Sequence, residues 1–451
     1  MQNVSVPTKI PKKTAVVMGA SIAGLFAARI LKDYFDKVIV IDKDTLHTLP
    51  LIRKHVPQAN HVHIFLAKGQ QITNQLFPGF GKQLKAENSP VIKFGSSTGW
   101  LTRAGWVKEF SPTIDIFSCS RAFLEWKLRY LLKSTHIEFQ DNAEVLGFVH
   151  SGASITGLKI KLQRESKEKV IQADFFVDAT GRSSITPKWL NQIGFAEPKE
   201  TVINAYVGYA SRIYERIENI GGKWNAIYIQ PAPPEDLKGG GIVPIEGGKS
   251  IVTLIGMGKN YPPTNEKKWV DYAKTLRNPI FYQAIKKSKP LSKVFSYQNI
   301  PNRMRHYENI KLPKNLVILG DSACAFNPVY GEGMTAAALG AITLENWLNS
   351  DYGKPNTFQK TLAKVNAPLW KMAIIEDMRC NETVGKSKVI HTKLLQLYMN
   401  NVFSAATRNS HVARTLTEVL HLLRPQELLI NPQTISKTFL SNLTKHRGEV
   451  N

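Results

Sequence analysis

At 451 residues, with 43% hydrophobic and 21% charged residues, the chain is long enough for two or three domains with sizeable cores. Its formal net charge of +24 suits a Lys-rich solvated surface or contact with an anionic membrane; the basic residues are spread out and no nucleic-acid-binding motif appears, so nucleic acid is not an expected partner. No apolar run reaches about 18 residues, the opening MQNVSVPTKIPKK lacks the apolar stretch of a secretory signal, and Cys119, Cys324 and Cys380 do not read as a disulfide framework or zinc site, which together predict a reducing cytoplasm.

Residues 12–42 carry the clearest pattern. Residues 14–18 form a short apolar run of β-formers that breaks at Gly19-Ala20-Ser21-Ile22-Ala23-Gly24. Ile22, Leu25, Phe26, Ile30 and Tyr34 then recur at helical spacing, and residues 38–41 are a second apolar run closed by Asp42. This predicts a βαβ unit with a glycine-rich first turn. Gly19 allows the turn, the small Ser21 leaves the backbone close to a pyrophosphate, and Gly24 lets the helix pack on the strands. The helix-start amides face phosphate, and Asp42 suits a ribose 2′-hydroxyl, so the adenine expected here belongs to NAD or FAD. The alternative is an ordinary βαβ unit with a small-residue turn.

The polar stretch 43–63 reads as a loop lying over a cofactor, with Arg53 or Lys54 near phosphates. His55, His61 and His63 in it have no carboxylate or cysteine to complete a metal site. Residues 64–76 are expected to be helical up to Pro78-Gly79. Residues 91–110 and 114–118 read as strands, and Ser120 as the N-cap of a helix running to about Lys133. Residues 137–171 alternate as β-strands with turns at 151–152 and 165–169. Residues 173–184 are an apolar strand ending in a small polar turn, Asp178-Ala179-Thr180-Gly181.

Residues 201–258 read as antiparallel strands, with a hairpin at Gly247-Gly248, that either wall an apolar pocket or form plain core. Helices follow at 265–274 and 279–286, and strand returns at 294–307 with Arg303, Arg305 and His306. The strand 315–321 ends in Gly320-Asp321. It leads through residues 322–334 into an alanine-rich helix, a second helix terminus able to take an anion or a ring. Cys324 reads as structural. From Asp351 the pattern is helical. Val412, Leu416, Val419, Leu420 and Leu423 form one stripe flanked by Arg408, Arg414 and Arg424, read either as packed on the body or as a monotopic membrane helix.

Three of these sites, in this order, resemble the flavin-dependent monooxygenases of the para-hydroxybenzoate hydroxylase type: GASIAG with Asp42, DATGRSS at 178–184, and LGDSACAFNPVYGEGM at 319–334. The resemblance implies an α/β fold. A Rossmann-like FAD-binding domain (12–185, with substrate-sheet strands near 91–116, and 299–350) is interleaved with an antiparallel-sheet substrate domain (mainly 186–298) and followed by a helical region (351–451). It implies that Asp321 binds the ribityl or ribose part of FAD, that Pro328, Gly331, Glu332, Gly333 and Met334 sit by the isoalloxazine, and that Arg121 contacts the flavin. Lys43, His61, Val145, Ala179, Thr180, Gly181 and Gly320 complete the expected cofactor-binding set. The loop Pro57-Gln58-Ala59-Asn60-His61-Val62-His63 is similar to that of bacterial FAD-dependent oxidoreductases, with polyether-type and squalene-type epoxidases as relatives.

Thr180 departs from the aspartate of the family's second motif, and Cys324 and Thr335 depart from its third. The implied activity is a monooxygenase in which NAD(P)H reduces FAD, O2 adds at flavin C4a, and one oxygen passes to a small lipophilic substrate. The runner-up is an alkene-lipid reductase, and the third reading a membrane-associated binding protein without turnover. No obligate protein partner is evident, and the expected place is the cytoplasm or the inner membrane face, touched through the C-terminal region.

Overall fold

The computed structural model describes residues 10–133, 136–163, 168–385 and 392–448; most of the opening segment read for a secretory signal, and most of the turn expected at 165–169, lie outside them. Five strands make a wholly parallel sheet in the order Leu316–Ile318, Phe175–Asp178, Ile10–Met18, Phe35–Ile41, Ile137–Gln140. A parallel sheet is covered on both faces, which is why its strands are continuous apolar runs rather than alternating ones. Ala15, Val16, Val17 and Met18 are fully buried in the main core. One cover is the first helix, Ile22–Leu31, packed on the long helix Glu332–Ser350. Elsewhere in the same core Phe35 stacks on Phe175 at 5.5 Å and Phe175 on Trp347 at 5.8 Å. The antiparallel sheet Ala143–Ser151, Ser154–Leu162, Glu168–Gln172 joins this core through Phe148, Ile155 and Leu158.

The sheet's register sets the site. Met18 pairs with Asp178 and Asp178 with Ile318, so these three adjacent strands end level. The turns that follow them, at Gly19, Ala179 and Gly320, therefore open at one edge, where ligands bind in open α/β sheets.

A second, seven-stranded sheet runs Phe295–Gln298, Gly208–Glu215, Lys249–Gly256, Lys238–Ile245, Ala226–Ile229, Thr98–Thr102, Gly105–Trp106. The hairpin at Gly247-Gly248 is present, with φ of +69° and +66°. One pairing departs from the antiparallel expectation: Ala226–Ile229 runs parallel to Thr98–Thr102. Val91–Phe94 and Ile114–Phe117 pair with each other instead of joining this sheet.

Alternate residues serve opposite faces. Ile242, Val252 and Leu254 pack with Trp269 and Phe281 of the helices Glu266–Lys274 and Ile280–Lys286. Val243, Ile245 and Ile251 pack with Val402, Phe403, Val412 and Leu416 of the helices Thr392–Ala406 and Ser410–Leu420. Of the two readings of the C-terminal stripe, the one that packs it on the body is the one observed. Val412, Leu416 and Val419 are at most 1% exposed, laid against the sheet. Helical period shows that a face is apolar but not what covers it. No helix of the described residues is long and apolar enough to cross a membrane.

Candidate flavin and substrate site

The first turn is built for close approach. Gly19 has φ +103°, its amide donates to the Ile41 carbonyl at 2.7 Å, and a Cβ there would lie 2.5 Å from the Ala179 oxygen. A Cβ on Gly24 would lie 1.8 Å from the Gly19 oxygen. Ser21 stands at the N-cap with an extended backbone and no acidic residue follows in the first turn. The leading amides of the helix lack intrahelical partners and carry its positive dipole end. Ala23 sits against the third turn: a Cβ on Gly320 would meet the Ala23 Cβ at 2.6 Å.

Around this turn lies a buried network of charged groups. Asp42 accepts from the Ala20 amide at 2.7 Å and from Arg53 Nη1 at 2.8 Å. Arg53 reaches on to Glu125 at 2.8 Å through Nη2. Arg121 opens the helix Arg121–Leu131 behind its Ser120 cap and donates to Glu125 at 2.8 Å and to the Ser21 hydroxyl at 3.1 Å. Ser21 donates to the same Glu125 carboxylate. Glu125 thus joins Ser21, Arg53 and Arg121, and the motif reading missed it. Its signal in the sequence was the i,i+4 spacing from Arg121. Burial opposes its charge, but the two guanidiniums and the Ser21 hydroxyl outweigh burial and hold the carboxyl at about 2. Burial likewise opposes the charge of Arg53, and Glu125 and Asp42 overcompensate, keeping it protonated.

Other expected members are less central. Lys43 and Lys54 point to solvent, so of the two basic residues expected near phosphates only Arg53 is at the turn. Val145 lies two residues beyond Ala143, whose amide donates to the Asp42 carbonyl at 2.9 Å. The three loop histidines diverge: His55 pairs with Asp44, His61 with Ser211, and His63 with the His61 carbonyl.

The second and third turns are tied together. Asp178 accepts from the Thr180 amide at 2.8 Å, from Thr180 Oγ1 and Ser184 Oγ at 2.6 Å, and from Ser322 Oγ at 3.1 Å. The Gly181 amide donates to Ser322 at 2.8 Å, and with φ +88° and nothing within 4 Å of a built Cβ its outer face is open. Asp321 is half-buried and its carboxylate has no hydrogen bond among the described residues. It stands beside Gly333 at the amide end of the long helix, with one oxygen 3.9 Å from where a Gly333 Cβ would be. Burial raises its pKa while Arg182, Arg121 and Arg305 oppose the rise.

The segment before that helix carries Asn327, which caps Val329, the turn Pro328–Tyr330, and Gly331 with φ +78°. Met334, Arg121, His63, Phe65, Phe117 and Cys119 line one small cavity, which brings the third turn to the helix that carries Arg121. Behind the segment, Asp377 accepts from Asn302 at 2.6 Å, Asn327 at 2.5 Å and Tyr330 at 3.2 Å. In front of it stands the sheet wall with Tyr209, Ile255 and Val207, and Tyr228 and Tyr297 beside them. Cys324 is buried and burial pushes its thiol up, which suits packing and not nucleophilic chemistry.

A parallel sheet whose three adjacent carboxyl-end turns carry a dinucleotide-type helix start, an open glycine and an aspartate without a hydrogen bond among the described residues defines a flavoprotein fold, with a second sheet beside it. The chain belongs to the FAD binding domain family, which matches residues 12–353. It is 29% identical over 388 residues to Protein Rv3254 of Mycobacterium tuberculosis, covering 82% of this chain and 81% of that one. Among solved structures it is similar to a flavoprotein/dehydrogenase from Cytophaga hutchinsonii (TM-score 0.66, 13% identity, 97% of this chain and 99% of that one). It is also similar to pqsL, a probable FAD-dependent monooxygenase from Pseudomonas aeruginosa (TM-score 0.59, 12% identity, 80% and 93%). The protein is accordingly a flavin oxidoreductase, with FAD as its cofactor.

Proposed function

We propose that this protein is an FAD-dependent monooxygenase that uses NAD(P)H and O2 to epoxidise or hydroxylate a small lipophilic substrate. The observation that carries the reading is the unpartnered Asp321 carboxylate. It stands beside the glycine-rich start of the long helix, next to Gly320, which packs on Ala23 of the first helix. FAD, when bound, supplies the redox chemistry and the activation of oxygen.

The chain's own residues supply the rest. The amides from Ser21 to Gly24, with Arg53 and Arg121, take the pyrophosphate; Asp42 takes the adenosine ribose and Asp321 the ribityl hydroxyls. The turn 328–334 receives the ring system, and Tyr209, Tyr228, Ile255 and Val329 wall the substrate and exclude water.

The test is rapid mixing of the photoreduced, FAD-loaded protein with oxygenated buffer. A transient spectrum between reduced and oxidised flavin, with label from isotopic dioxygen entering an added alkene or phenol, is expected. Direct reoxidation, with no label in any product and reduction of the added alkene instead, would replace this reading by a reductase.

A further inference from the structure

Two buried polar atoms at the seam between the segment 327–334 and the second sheet have no partner among the described residues: Glu332 Oε2 and His61 Nε2. Both side chains are more than nine-tenths buried, Glu332 at 2% and His61 at 3% exposed. Among the described residues the Glu332 carboxyl is met by its own backbone amide alone. The other ring nitrogen of His61 is engaged by Ser211 Oγ at 2.7 Å, which is backed by Thr253 at 2.6 Å. Both groups bear on Tyr209, His61 by ring contact and Glu332 electrostatically. The His61 ring meets it edge-on at 5.8 Å and lies parallel to Tyr297 at 6.2 Å, and Glu332 acts on the Tyr209 and Tyr228 phenols. A buried group left without a partner carries its full desolvation cost, so native structures retain such groups where a ligand or water meets them.

We propose that Glu332 and His61 are the polar recognition points of the substrate site, and that the substrate bears an uncharged oxygen, a carbonyl or hydroxyl, on an apolar body. This rests on the reading of the seam as the substrate site.

The electrostatics agree with the geometry. Burial, with the Asp377 carboxyl adding to it, pushes Glu332 up to about 8, so at neutral pH it presents a hydrogen to donate. Asp377, pushed up to about 7 by burial, is held by Tyr330, Asn327 and Asn302. Burial and the neighbouring His63 hold His61 down at about 3, so it is neutral. The groups facing the pair are Asp377 and Glu376 from the helix Pro355–Asp377, Tyr330 from the turn, Tyr209 and Tyr228 from the sheet, and His63 from the loop. The cations that bear on these groups are already paired, Arg277 beside Tyr228 with Asp236 at 3.2 Å and Arg121 beside His63 with Glu125 at 2.8 Å, so a carboxylate ligand meets no free counter-charge. A hydrocarbon leaves both polar atoms unmet.

The experiment titrates FAD-loaded protein with three probes sharing one body, 2-acetonaphthone, 2-naphthoate and naphthalene, read by the change in the flavin's visible absorbance. The ketone is expected to bind at least tenfold tighter than the other two at pH 7, and to weaken about tenfold per pH unit above about 8. Glu332→Gln, reloaded with FAD, is expected to lose that pH dependence, and Glu332→Leu, likewise reloaded, to lose the preference for ketone over naphthalene. Should Glu332→Leu fail to fold, the pH profile of Glu332→Gln decides. Equal binding of naphthalene and ketone, or a pH slope unchanged in Glu332→Gln, overturns the proposal. The monooxygenase reading fails separately, on the oxygen-mixing test, with no ligand panel involved.

Discussion

Glu125 shows how much of the cofactor turn depends on one carboxylate. It is buried, and its removal leaves Arg121 without a carboxylate among the described residues and Arg53 with Asp42 alone, both charged in the interior. Breaking a buried charge cluster on one side costs about 3–5 kcal/mol. Glu125→Ala is expected to lose that much in urea unfolding and to lose FAD from the purified protein. The pH dependence has a definite sign. The folded-state pKa is depressed to about 2 from a model-compound 4.5, so the stabilisation is fully present above about pH 4.5. It is lost as pH falls toward 2, about 3 kcal/mol in all. An acid titration of stability in which Glu125→Gln and the parent differ equally at pH 7 and pH 2 would refute this. Glu332 behaves oppositely. Its pKa is raised, so its penalty sets in as pH rises above about 4.5 and is complete above about 8. Glu332→Gln is therefore expected to stabilise the protein at pH 9 and to change little at pH 4, as thermal unfolding at the two pH values would show. Gly19, Gly24 and Asp42 were legible in the sequence because their demands are local. Glu125 was not, because its partners come from three separate segments and only folding brings them together.

At the level of elements, the three turns act as one unit because Asp178 and Ser322 join the second to the third. Asp178→Ala removes four hydrogen bonds to one buried carboxylate without touching the apolar strands. The expected outcome is a protein that keeps its secondary structure but binds FAD at least tenfold more weakly in fluorescence titration; unchanged affinity would show that the tether is dispensable. The parallel strands could be read from the sequence because burial on both faces writes itself as continuous apolar runs. The stripe Val412, Leu416, Val419 could be read as a helix face, but not as covered by a sheet, since nothing at helical spacing names the partner. Helix 64–76 was expected to start earlier than it does. Residues 61–66 instead run as extended loop, giving His61 and Val62 their contacts with Ser211 and Thr253.

For the whole molecule, the second sheet and the C-terminal helices share one core, so damage in those helices reaches the sheet. Leu416→Ala opens a void between the helix Ser410–Leu420 and the second sheet, which is expected to cost about 2–5 kcal/mol. Denaturant unfolding measures it, and a loss below 1 kcal/mol would mean that the helix is not part of the sheet's core. The order of the three motif turns followed a family pattern that the motifs carried; the parallel entry of Thr98–Thr102 beside Ala226–Ile229 followed from no local signal, since strand pairing across more than a hundred residues leaves no periodic mark.

That pairing has a consequence for recombination between relatives. A crossover that replaces only residues 200–300 would separate Ala226–Ile229 from the Thr98–Thr102 strand with which it evolved, leaving a mismatched register at the sheet's border. Productive chimeras should inherit both stretches from one parent, because the unit that must stay together for this sheet to form is discontinuous along the chain.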